Sequence, residues 1–210
     1  MERLTLRRAL CAPLFFCLPA AASAQLLISE VFYDASGGDA GKVFVELFGT
    51  PGMDLTGLLL QGVNGNDGKV YRSLSLSGVI PADGVFVIAD DDGSGSTRVA
   101  GADLVADIDL QNGPDSLQLL DGGRLLDAVG YGDFSGMIFA GLGAAAPDVP
   151  AGSSLARFAN SGDNLADFQV LATPTPGTSN LSAVPLPAAF WLFGSGLALL
   201  GARLRSRSAP

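Results

Sequence analysis

The chain has 210 residues, with 12 Lys+Arg against 21 Asp+Glu for a formal charge of -9, and it contains no histidine. The missing imidazole excludes Ser-His-Asp and Cys-His catalysis and His-ligated zinc or haem. A mean hydropathy of +0.38, with 28 glycines, 12 prolines and only 16% charged residues, is too apolar for a disordered chain and points to a segment that meets lipid.

At the N-terminus, Arg3, Arg7 and Arg8 precede an uncharged run from Ala9 to Ala22, and Ala22-Ser23-Ala24 supplies small residues for cleavage. This three-part order predicts a signal helix over residues 1–24, with Gln25 the first residue of the mature chain, so the partners of export are a secretion translocase and a signal peptidase. A spanning helix needs about 20 apolar residues, and this run is shorter and broken by Pro13 and Pro19. Cys11 and Cys17 lie in the removed segment. The mature protein then has no thiol and no disulfide, and an apolar core must hold it together.

Residues 25–180 carry six bases (Lys42, Lys69, Arg72, Arg98, Arg124, Arg157) against 20 acids, near -14. A duplex with one negative charge per about 1.7 Å repels such a domain, and so does an anionic lipid surface; the charge serves solubility outside the cell. In chain order, β-rich runs cover residues 26–33, 43–48, 57–61, 70–76 and 85–89, each bounded by Gly, Pro, Asn or Asp. Residues 116–120 and 124–131 flank Asp121-Gly122-Gly123, the strongest hairpin signal in the chain, and weaker runs cover 154–158 and 168–171. Residues 136–150 read as a loop. Few windows lack a glycine, which costs about 1 kcal/mol inside a helix. Seven to nine short strands predict an all-β domain, a β-sandwich or Greek-key barrel. Its expected core is Ile28, Val31, Phe44, Val45, Leu47, Leu58, Leu60, Phe86, Ile88, Leu117, Leu119 and Val129.

Two groups in this domain have the composition of chemistry. Glu30 and Glu46, on adjacent predicted strands, form a carboxylate pair of the kind that hydrolyses glycosides when held about 5 or 6.5–9.5 Å apart. The same residues also read as solvent-face positions or as acceptors for the backbone amides of a turn. In Asp90-Asp91-Asp92-Gly93-Ser94-Gly95-Ser96, taking Asp90 as position 1 puts Asp, Asp and Ser at 1, 3 and 5 and Gly at 6 of a calcium loop, with Asp90, Asp92 and Ser94 as ligands of a weak site. Arg98 then stands at position 9 and Gly101 where the bidentate Glu belongs, so an acidic turn is the stronger reading. Serine has no base to activate it: Lys42 and Lys69 are not in S-x-x-K spacing. Glycine-rich stretches lack a P-loop lysine, and Asn180-Leu181-Ser182 is a sequon only in a host that reads it. The domain is expected to be non-enzymatic and to need no cofactor beyond weakly held calcium.

Beyond residue 180, Val184-Pro185-Leu186-Pro187-Ala188 leads into an apolar run to Ala202 and then Arg203, Arg205 and Arg207. Fifteen residues at 1.5 Å span about 22 Å, and the apolar residues before the prolines extend this to a marginal bilayer crossing, with Trp191 near one interface and the arginines on the cytoplasmic side. The expected organisation is a signal peptide (1–24), a β domain (25–180) and a tail (181–210) with a transmembrane helix.

The tail resembles the VPLPA variant of the PEP-CTERM sorting signal of Gram-negative bacteria. The resemblance implies recognition and processing at Val184 to Ala188 by a membrane-embedded exosortase, with transient anchoring and release to the cell surface or extracellular matrix. The middle resembles the lamin tail domain, an immunoglobulin-like β-sandwich. The matching pieces are Ile28-Ser29-Glu30-Val31, Phe44-Val45-Glu46-Leu47, Asp54-Leu55-Thr56-Gly57, residues 85–89 and 115–121, and Asp127-Ala128-Val129. Ser153-Ser154-Leu155-Ala156-Arg157 and Thr173-Pro174-Thr175-Pro176-Gly177-Thr178-Ser179-Asn180 complete the set. After Gly57 that family usually places a tryptophan, and Leu58 stands here. The resemblance implies a binding or spacer role, with extracellular polysaccharide as a partner, and brings no catalytic residues. Other expectations are an accessory glycan- or calcium-binding module of a secreted hydrolase or nuclease system, and an unprocessed single-pass membrane protein.

Overall fold

Apolar runs punctuated by Gly, Pro and Asp fold into strands because every turn signal ends one strand and every alternating run supplies a buried face. The computed structural model describes residues 25–108 and 110–181, all within one compact unit. Among them are β1 (Leu27–Phe32), β2 (Phe44–Phe48), β3 (Leu58–Asn64), β4 (Val70–Ser75), β5 (Val85–Asp90), β6 (Leu104–Ala106), β7 (Asp115–Asp121), β8 (Arg124–Tyr131), β9 (Ser154–Arg157) and β10 (Phe168–Leu171). One short helix, α1 (Asn164–Asp167), precedes β10. Residues 1–24 and 182–210 lie outside the described residues, and with them the expected signal helix, transmembrane helix and VPLPA segment. Among the described residues no helix is long and apolar enough to cross a membrane.

The strands form an all-β, sandwich-like pair of sheets, one ordered β10-β9-β1-β2-β5-β6 and the other β4-β3-β7-β8. Pairing is antiparallel except for β5 with β6. Neither β6 nor α1 is foreseen by the sequence pattern: three and four residues are too few to show a period.

A bulge explains the core of the first sheet. Ile28 pairs with Leu47 and Val31 with Val45, so the register shift between Ile28 and Glu30 inserts Ser29 as an extra residue. Residues 28 and 31 then share the inward face, although strict alternation would separate them. Of the expected core, all are buried except Leu58, which is only partly buried and packs against the others.

The opposite face of this sheet carries Glu30, Glu46, Phe32 and Phe44, and a closing segment after β10 covers it. For that reason β1 and β5 are buried along their whole length, where a one-sided sheet would alternate. The second sheet is covered by the expected loop 136–150, which adopts no regular structure but is tied down. Ala140 N–H donates to Ser116 Oγ at 3.1 Å, Gln118 Nε2 donates to the Ala140 carbonyl at 3.0 Å, and the Phe139 ring lies where a Cβ on Gly130 would fall.

The β7–β8 hairpin closes through Gly122 and Gly123, both at positive φ (54° and 88°), between the paired Asp121 and Arg124. A two-residue turn with both φ positive matches the right-handed twist of the strands. Gly123→Ala is expected to lower stability by about 1 kcal/mol, read as a lower urea midpoint at unchanged m. Gly122→Asn is expected to be nearly neutral, because asparagine tolerates this region.

Candidate functional site

The two glutamates weighed as a catalytic pair stand directly opposite each other on β1 and β2. They are not solvent-face residues, being 1% and 0% exposed. Their oxygens are occupied. Glu30 Oε1 accepts from Ser154 Oγ at 2.6 Å and from Thr175 N–H at 2.9 Å, and its Oε2 accepts from Thr175 Oγ1 at 2.7 Å. Glu46 accepts from Ser29 Oγ at 2.7 Å and from Gly177 N–H at 2.9 Å. The pair therefore seats the turn at Thr175–Thr178, closed by Thr178 N–H to the Thr175 carbonyl at 3.0 Å. Of the readings open from sequence, the structure gives the acceptor for a turn's amides. Burial is the main cause that pushes Glu46 up to about 7; the Ser29 bond pulls down and the charge of Glu30 pushes further up.

A second buried polar centre escapes the sequence reading. Arg157, 0% exposed on β9, reaches Asp127 on β8 of the other sheet with Nη2 at 2.8 and 3.0 Å from its two oxygens. Its Nη1 lies 3.3 Å from Asp167 Oδ2, its Nε donates to the Ile28 carbonyl at 2.9 Å, and its guanidinium sits 4.5 Å from the centre of the Phe168 ring. Asp127 also accepts the Ile28 N–H at 2.8 Å. The bulge frees both backbone groups of Ile28, and this ion pair takes them up. Asp167 in turn accepts from Ser161 N–H and Oγ and from Gly162 N–H, pinning the loop before α1.

The acidic loop after β5 divides its ligands. Asp90 is buried, and its carboxylate accepts from Gly41 N–H at 3.0 Å and Ile108 N–H at 3.4 Å. Asp92 Oδ1 accepts from Ser94 N–H and Oγ, within the loop itself. Among the described residues no group of three or more acids is gathered as a metal site. Calorimetry at millimolar calcium tests the weak site directly.

Asp115 is a buried acid with an unfilled oxygen. Oδ1 accepts the Gly65 N–H at 2.9 Å, while Oδ2 meets no donor among the described residues, and burial raises its pKa. A carboxyl whose pKa is raised by folding costs stability once pH exceeds that value. Asp115→Asn keeps the acceptor and removes the charge, so it is expected to stabilise the fold at neutral pH by about 1 kcal/mol, with the gain vanishing in acid when followed by thermal melts.

Gln25, the expected first mature residue, is exposed. Ala22, Ala24 and Val184, Pro185, Leu186, Pro187 and Ala188 lie outside the described residues. Compared with protein-family models, curated proteins and solved structures, the chain matches none.

Proposed function

We propose that the chain is an exported, non-catalytic protein of the cell surface or extracellular matrix. Its domain is an immunoglobulin-like sandwich of the lamin-tail kind, carried out by residues 1–24 and handed to an exosortase-type enzyme by Val184 to Ala188. The function is display. A passive folded body is held at the membrane by the tail until processing frees or retethers it.

One observation carries this reading: the buried charged residues Glu30, Glu46, Asp127 and Arg157 of the lamin-tail-like pieces bond partners from other such pieces. Glu30 and Glu46, from two of the strand pieces, bond Ser154, Thr175 and Gly177 from the two closing pieces. Asp127 bonds Arg157 in the same way. Residues whose side chains fasten the frame are not available to a substrate.

Intact mass of protein from its native host tests the proposal. A chain beginning at Gln25 and lacking the residues after about 188 supports it; a mature chain with the complete tail overturns sorting in favour of a permanent anchor.

A further inference from the structure

The chain contains two Asn-Gly steps, Asn64-Gly65 and Asn112-Gly113, and the fold treats them in opposite ways. At the first, both reacting groups are held. Asn64 Oδ1 accepts the Asn66 N–H at 2.8 Å, and its Nδ2 donates to Gln111 Oε1 at 3.3 Å. Gly65 N–H donates to the Pro114 carbonyl at 3.0 Å and to Asp115 Oδ1 at 2.9 Å. At the second, Asn112 is exposed, and among the described residues neither its side-chain amide nor the Gly113 N–H meets a hydrogen-bond partner. Gly113 stands at φ 82° in the loop before β7 and carries no Cβ to shield its nitrogen.

We propose that Asn112 is a site of spontaneous succinimide formation, which converts it to aspartate or isoaspartate, while the fold protects Asn64 from the same reaction. The inference concerns the described domain and rests on no reading of the tail or of the function.

The chemistry needs only water. Hydroxide removes the Gly113 amide proton, and the nitrogen attacks Asn112 Cγ to form an N–Cγ bond. The Cγ–Nδ2 bond breaks, and the leaving nitrogen takes a proton from water and departs as ammonia, which regenerates the hydroxide. Water then opens the ring at either carbonyl: cleavage of the new N–Cγ bond gives aspartate, and cleavage at the main-chain carbonyl carbon gives isoaspartate. In sum, water is consumed and ammonia released with no change of oxidation state. An N–H that is already donated must first leave its acceptors before it can lose its proton, which ties reaction at Gly65 to local opening of the β3–β7 end. Gly113 faces no such barrier.

The position gives the change a structural reach. Gln111, just before the site, is fixed through its carbonyl, which accepts from the Tyr131 hydroxyl at 3.2 Å, and Pro114, just after it, holds Gly65. Isoaspartate routes the main chain through Cγ and so lengthens it by a carbon atom between these two anchors. Either product also sets a carboxylate in place of a neutral amide shortly before the buried Asp115.

Peptide mapping by mass spectrometry tests this on the full chain, held folded at mildly alkaline pH and digested at intervals. The amide-to-acid mass gain is expected in the Asn112 peptide at least about tenfold faster than in the Asn64 peptide, and an isoaspartyl methyltransferase is expected to label the Asn112 peptide. In denaturant the two steps are expected to convert at comparable rates, because the fold and not the sequence separates them. Asn112→Gln, an exposed substitution whose longer side chain disfavours ring closure, is expected to abolish the conversion and leave the melting temperature unchanged. Equal rates at the two steps in the folded protein, a folded Asn112 that stays intact while the denatured chain converts, or a mass gain that persists in the Asn112→Gln peptide would each overturn the proposal.

Discussion

Replacing Arg157 with alanine is expected to lower the unfolding free energy by about 3–5 kcal/mol, the largest effect of any single polar substitution in the domain. The value of the pair itself is modest, because desolvating two ions offsets much of their attraction. Breaking it is another matter: Asp127 and Asp167, 2% and 0% exposed at their side chains, would each be left in the core without their cation. The Ile28 carbonyl, outside the regular ladder at the bulge, would lose its donor as well. In a thermal scan this corresponds to a fall of roughly 6–20 °C. Arg157→Lys keeps a charge but not the fork that meets both oxygens of Asp127, so an intermediate loss is expected. The double variant Arg157→Met with Asp127→Asn removes the stranded charge and retains an acceptor for Ile28 N–H. It is expected to be markedly more stable than the sum of its parts, and a strictly additive result in urea titrations would refute the account.

Asn164→Ala is expected to cost about 3 kcal/mol by a different route. Its side chain stands where a further strand would pair with β8. Oδ1 accepts from Gly130 N–H and Leu142 N–H, both at 3.0 Å, and Nδ2 donates to the Ala128 carbonyl at 2.9 Å. Two buried backbone groups, Gly130 N–H and the Ala128 carbonyl, and the half-buried Leu142 N–H would lose partners together. The helix α1 exists to hold this residue: Asp163 caps it by accepting Leu165 N–H, and also accepts Ala144 N–H from the covering loop. The exposed edge of β8 would then be open to another chain, so concentration-dependent aggregation is expected alongside the loss of stability. Asn164→Asp, which retains the acceptor but sets a carboxylate against the Ala128 carbonyl, is expected to be no better than alanine at neutral pH. A fully stable, monomeric Asn164→Ala would show that water replaces these bonds without cost.

Neither residue was legible in the sequence, and the reason is one of range. Alternation within a few residues locates a strand, and two consecutive glycines after an aspartate locate the hairpin at Asp121–Arg124, because both signals are local. Arg157 stands in a short strand run, and no local pattern says that its partners are Asp127, 30 positions earlier, and Asp167, 10 later. Glu30 and Glu46 were recognisable as a pair because neighbouring strands were recognisable. What they face depends on a segment some 130 to 145 residues downstream, whose Thr-Pro-Thr-Pro-Gly sequence marks a turn without saying where it lands. Ile28 and Val31 entered the expected core together on their apolar character. Only the bulge at Ser29, invisible to periodicity, makes that pairing geometrically sound.

The position of β1 has a kinetic consequence. It is the first of the described strands, yet its two neighbours are β2 and β9, the latter more than 120 residues away along the chain. A polypeptide emerging from its N-terminus can form the β1–β2 hairpin early, but that hairpin keeps one unpaired edge and two uncovered glutamates until residues 154–177 arrive. Closure over such separations places the fold among the slow folders, completing in milliseconds to seconds. The six-stranded sheet thus stays incomplete until residues 154–177 have been made, although every strand of its partner sheet is present by Tyr131.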